Sequence, residues 1–217
     1  MMLINSRVSG AIAGGIALEY HLHPEEFMFE GPDDHPIFSV MDEYIRDPIG
    51  FRLQSWEHVL ISTLAAASTG VQHEVPMSVG AVECTLWTTF GSLVNGGGIA
   101  GVPHVISTLY DVVDIQEERE WLSDICNVFQ TAGCVPSESF SDAVEEFENL
   151  TIIDPQLTWL MGSLAGSRAG ITNIPMEILK HIHLGTLEKI NRWTEHVTGV
   201  QASIESQQDP GCLVLSK

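Results

Sequence analysis

The chain is poor in positive charge. Nine lysines and arginines stand against 29 aspartates and glutamates, for a formal net charge of -20 over 217 residues. Nucleic-acid binding rests on cations that neutralise phosphates, so that partner class is excluded. An anionic membrane surface is disfavoured on the same ground. A basic protein partner, or solubility alone, fits such a balance. Cysteine is scarce as well. Cys84, Cys126, Cys134 and Cys212 form no C-x-x-C pair, and a reduced, cytoplasmic protein is the expectation. No apolar run is long enough to span a bilayer, since Arg168 interrupts the closest one, Leu157 to Ile174. The N-terminus lacks the basic segment, clean apolar stretch and cleavage site of a secretory leader. Alternating strand patterns are missing too, so the chain is expected to be all-α.

What is present is helical periodicity with proline and glycine as punctuation. Pro36 opens a helix with Ile37, Phe38, Val40, Met41, Tyr44 and Ile45 inward, and Asp47 to Gly50 forms a turn. Arg52 to Ser68 predicts a longer helix, and Pro76 opens another with Val79, Val82, Leu86 and Phe90 inside. Pro103 to Tyr110 is a short apolar helix, and Asp114 to Gln130 a clear amphipathic one ending at Gly133. Thr186 to Val197 predicts the last helix, with Gly199 as its stop. Residues 1–200 then form one domain, and 201–217 a polar, flexible tail.

The stretch from Ser139 to His183 organises the rest. Ser139 caps a helix, with Asp142 as its capping-box partner, and Phe140, Val144 and Phe147 line one face. Asp154-Pro155 starts the next helix. Within it Gly162, Gly166 and Gly170 recur every fourth residue, widened by Ala165 and Ala169. Each glycine in a helix costs about 1 kcal/mol against alanine unless close packing offsets it. Asn173-Ile174-Pro175 starts another helix. A second glycine-spaced helix, Ser9 to Glu19 with Gly10 and Gly14, lies near the other end of the chain, and the two are expected to pack at close range.

This stretch resembles the carboxy-terminal signature of the ADP-ribosylglycohydrolase family, N-x-G-G-D-T-D-T followed by A-A-x-x-G-A-x-x-G-A-x-x-G and a proline-led helix. Ala143-Val144, Asn149, Gly162, Gly166, Gly170 and Ile174-Pro175 fall into that frame without a gap. Ser9 to Glu19 is similar to the family's opening glycine helix, with its aspartate replaced around Ile16 to Glu19. The VECTLWTTF run at 82–90 resembles a further family helix. The resemblance implies a compact orthogonal bundle of helices. It also implies a site in which two aspartate motifs hold magnesium ions that assist hydrolysis of a bond to ADP-ribose.

The resemblance breaks where that chemistry belongs. Ile153 and Pro155 occupy the seats of the two aspartates in D-T-D-T, and neither side chain offers an oxygen to a hard cation. The other motif, T-D-D-T, is matched by Pro32-Asp33-Asp34-His35 before the Pro36 helix. Asp33, Asp34, His35 and Asp154 are the remnant-cleft candidates. The adjacent carboxylates also suit a helix start, and Asp154 suits a helix cap. No metal and no cofactor are expected. The expected function is that of a catalytically degenerate member acting as a protein-interaction or regulatory module, with an unidentified protein partner for which a basic surface fits the charge. The alternatives are a magnesium-dependent hydrolase using Asp33, Asp34 and Asp154, and an ADP-ribose binder without turnover.

Three further groups have bland readings. His21-x-His23 with Glu25 and Glu26 holds ligand-type residues, yet a surface or cap role explains them. His181 and His183 point to different sides of an expected helix, with Glu177 four before His181. Asn95 to Gly101 lacks the preceding strand and the following lysine of a phosphate loop, so it is a connector.

Overall fold

A computed structural model describes residues 4–24, 35–68, 81–96, 139–149, 155–180, 182 and 184–208, with Gln116, Glu120, Ser123, Asp124 and Asn127. The described chain is all-α, as its periodicity predicts, and no strand occurs among these residues. The helices are α1 (Ile4–Leu22), α2 (Pro36–Arg46), α3 (Trp56–Ser68), α4 (Ala81–Val94), α5 (Phe140–Glu148), α6 (Pro155–Ala169), α7 (Met176–Leu179) and α8 (Leu184–Gln208). The expected helix at 103–110 lies outside the described residues. Of the one at 114–130, the five described residues are helical and exposed, and Gln116 Nε2 donates to Glu120 Oε1 at 2.9 Å.

Two helices carry no solvent face over most of their length. Every residue of α1 from Val8 to Glu19 is buried, and so is every residue of α6 from Leu157 to Ser167. A helix apolar all round belongs at the centre of a core. The two run antiparallel and make the most extensive helix-helix contact among the described residues. Gly10 faces Gly166, and Gly14 faces Gly162, with backbone against backbone. A Cβ on any of these four would drive into the opposing carbonyl oxygen, and one on Gly10 would also lie 2.9 Å from Ile171 N. The close approach is what offsets the entropic cost of four helical glycines. Gly170 ends α6 at φ 76°, its N–H donating to Gly166 O at 2.7 Å, in a conformation that favours glycine.

The other helices pack around this pair, α3 chiefly against α4, and α2 against α3 and α8. α2 buries Ile37, Phe38, Val40 and Met41, and α5 buries Phe140, Ala143, Val144 and Phe147. Ser139 caps α5 by accepting from Asp142 N at 3.1 Å. α8 crosses α1 through Ser9 Oγ and Thr194 Oγ1, 2.9 Å apart and both buried. Arg7 reaches from α1 to the end of α4, donating from Nη1 to Leu93 O at 2.9 Å, so a cation sits on that helix's negative end.

Three boundaries differ from the sequence reading. α3 starts at Trp56, not Arg52; Ser55 precedes its first residue, and 51–54 are extended coil. α7 is one turn ending at Leu179, so the expected helix over Glu177 to His183 is not formed as read, and His181 and His183 lie outside the described residues. α8 runs through Gly199 to Gln208, well into the segment expected to be a flexible tail. Gly199 does not adopt a left-handed conformation, and Gln201 to Gln208 contains no proline to end the helix.

Tyr44 packs edge-on to Phe51 at 5.1 Å and to Trp193 at 6.2 Å, and burial raises its pKa above the ordinary 10.0. A raised folded-state value contributes stability that is present below the unfolded pKa and lost as pH climbs through the folded one. A phenol absorbance titration should therefore show a late-titrating component that Tyr44→Phe removes.

The glycine contacts give a sharper contrast. Gly166→Ala should destabilise the fold by about 3 kcal/mol, because a backbone atom cannot swing aside. Gly199→Ala, with no atom within 4 Å of the added carbon, should stabilise by about 0.5–1 kcal/mol. Urea unfolding of both variants checks this, and equal effects would exclude the backbone contact.

Candidate functional site: a sealed polar pair at the end of α1

Of the remnant-cleft residues named from sequence, His35 alone is described, and it lies against the last turns of α1. Asp33, Asp34 and Asp154 themselves lie outside the described residues, as do Ile153 and the side chain of Pro155. His35 is described, and it decides how this place is built.

His35 is the N-cap of α2, with extended backbone at φ -67° and ψ 131°. Its Nδ1 accepts from Ile37 N at 3.2 Å, which satisfies one of the free N–H groups at a helix start. An Nδ1 that accepts carries no proton, so the ring proton of the neutral imidazole is on Nε2. That nitrogen donates to Glu19 Oε2 at 2.9 Å. Both side chains are buried, at 7 % and 8 % exposure. The ring also stacks on Trp159 of α6 at 6.0 Å and meets Phe38 edge-on at 6.2 Å. Three elements, the end of α1, the start of α2 and the first half of α6, thus close around a single imidazole.

The capping role that the sequence offered to Asp33 and Asp34 is held by His35 instead. Glu19 and Trp159 were not singled out by sequence reasoning. Glu19 ends the glycine helix where the resembled family places an aspartate, and that signal could have found it.

The two histidines of H-x-H diverge. His21 Nε2 is 3.3 Å from Glu148 Oε1 at the end of α5, and His23 Nε2 is 3.3 Å from the buried Thr158 Oγ1. Glu25 and Glu26 lie outside the described residues. Among the described residues no three His, Cys, Asp or Glu side chains gather as metal ligands. The glycine run begins as a helix end: Asn95 Nδ2 donates to Gly91 O at 2.9 Å, and Gly96 turns at φ 83°. Residues 97–101 lie outside the described set.

A second polar knot sits at the start of α3. Ser55 Oγ is 2.9 Å from His58 Nδ1, and His58 Nε2 is 3.5 Å from Glu43 Oε2. The order suggests a nucleophile, a base and an orienting acid. However, the Ser55 hydroxyl donates to Glu57 Oε2, so it accepts from the ring instead of giving its proton to it. A base that donates to its nucleophile cannot activate it. Stacked on Phe51 at 5.3 Å, His58 joins the start of α3 to α2 and to the connector between them.

Compared with family models, curated proteins and solved structures, the chain matches none.

Truncating His35 leaves the buried Glu19 carboxylate without its donor and Ile37 N–H without its acceptor. His35→Ala should destabilise by about 3–5 kcal/mol, the range for removing one member of a buried charge-assisted pair. Glu19→Gln keeps an acceptor for Nε2–H and should lose only about 1–2 kcal/mol. Chemical denaturation of both checks the asymmetry; an equal loss would mean that the pair is not coupled as described.

Proposed function

We propose that the chain is a catalytically degenerate ADP-ribosylglycohydrolase-like protein, cytoplasmic, acting as a protein-interaction or regulatory module. The observation that carries this reading is His35. It stands beside Asp34 in the segment that resembles the first metal motif, and both of its ring nitrogens are engaged by the fold. A site evolved for substrate keeps such a group available; here it holds α2 to α1.

Two features support the reading. Ile153 and Pro155 remove the oxygen ligands of the second motif. Glu19 places a buried carboxyl at the end of α1, where an unneutralised charge repels a pyrophosphate. The net charge of -20 points to a basic protein surface as the partner, not to nucleic acid or an anionic bilayer. Among the described residues no helix is long and apolar enough to cross a membrane.

Calorimetric titration with magnesium should give no binding heat, and ADP-ribose should not shift Tm with or without magnesium. An ADP-ribose shift without turnover would identify a binder. Magnesium-dependent release of ADP-ribose from a modified protein would overturn the proposal in favour of a working hydrolase.

A further inference from the structure

We infer that two copies of this chain pair across the groove between α2 and α8. This does not rest on the functional reading above.

The groove has a volume of about 460 Å³; of its apolar lining residues Ile45 is partly exposed, while Met41 and Trp193 are buried beneath it. Ile45 is 39 % exposed, and Leu184, next in sequence to the groove-lining Gly185, is 69 % exposed. Uncovered apolar side chains at a groove mark a contact surface.

Charge selects the occupant. The ionic groups lining the groove are Asp42, Glu188, Lys189 and Arg192, two acids and two bases, so they sum to zero. The whole chain carries -20, and two copies repel over most of their surfaces. The groove is a place where they do not. Lys189 is already committed, 3.2 Å from Asp42 Oδ2 and 5.0 Å above the Phe38 ring. Glu188 and Arg192 are exposed, and among the described residues neither has an ion-pair or hydrogen-bond partner. They lie four residues apart on α8. A two-fold axis that sets the α8 helices of two copies antiparallel brings each Glu188 against Arg192 of the other copy. Such a contact is self-complementary, as an isologous interface must be. A basic partner would leave Arg192 opposed, and an acidic one would leave Glu188 opposed.

Sedimentation velocity on the intact chain tests this. At about 200 µM the protein should be dimeric, and the association should strengthen between about 20 mM and 500 mM salt as repulsion between the acidic shells is screened. Arg192→Glu or Glu188→Arg alone should weaken association at least about tenfold, by setting like charges against each other. The double swap should recover it to within about threefold, since complementarity returns. Leu184→Asp should give a monomer. Amide exchange on the wild-type chain gives an independent reading, with protection over 184–192 rising with concentration. A monomer in high salt at these concentrations leaves the groove to another occupant and overturns the inference. A dimer indifferent to the single swaps, a double swap without recovery, or exchange unchanged with concentration also overturns it.

Discussion

The fold depends on one contact, the meeting of α1 and α6 backbone to backbone. Side chains normally keep helix axes 8–10 Å apart and let the packing adjust by rotamer changes. Here Gly10 and Gly14 abut Gly166 and Gly162 with no side chain between them. Sliding either helix by one residue would bring Ala11, Ala13 or Ala165 toward a carbonyl oxygen, so the register has little freedom. Because α1 and α6 are buried around most of their circumference, the other elements pack around them, some directly and α2 through α3 and α8. The contact joins two chain segments about 150 residues apart in sequence, and closing so long a loop favours slow folding.

The same register sets the chemistry at the end of α1. Once Gly14 lies on Gly162, Gly15 falls against Ser163 and the Trp159 ring, and Glu19 comes out beside the start of α6. The carboxyl delivered there is buried and needs a donor. His35 supplies it and also caps α2, so one imidazole ties the start of α2 to α1. In the proposed degenerate reading, a hydrogen bond between protein groups does here the work of holding elements together that a bound cation does in a metal site. An imidazole engaged at both nitrogens gives rigidity at the cost of reactivity.

Much of this was legible in the sequence. The four-residue glycine spacing, Pro36 and Pro155 at first helical positions, the Ser139 cap and the Asp47 turn each have a local physical cause, and each is found. What the sequence hid depends on competition or on distance. Asp33, Asp34 and His35 are all able to cap, and only the partner on α1 decides for His35. Glu19 reads as an ordinary acidic residue at a helix end until the fold buries it. Gly199 looks like a stop, yet a glycine stops a helix only when the backbone turns left-handed there, and nothing makes it do so. The short α7 starts after Pro175 and ends at Leu179, well before the new helix beginning at Leu184, and no local signal in the sequence marks that early end.

The charge balance adds a constraint that local structure does not show. A chain this acidic is kept apart from its copies and from most cellular surfaces, so any specific contact needs either a strongly basic partner or a patch where the field is cancelled. Lys189 and Arg192 concentrate two of the nine basic residues on a single face of α8, against Asp42 and Glu188. Their cancellation does not stabilise the monomer much, because exposed ion pairs contribute about 0–1 kcal/mol. Its physical effect lies in association, where a neutral apolar groove on a repelling shell restricts contact to one orientation. Close packing inside and charge outside thus act alike, each excluding the alternatives to one arrangement.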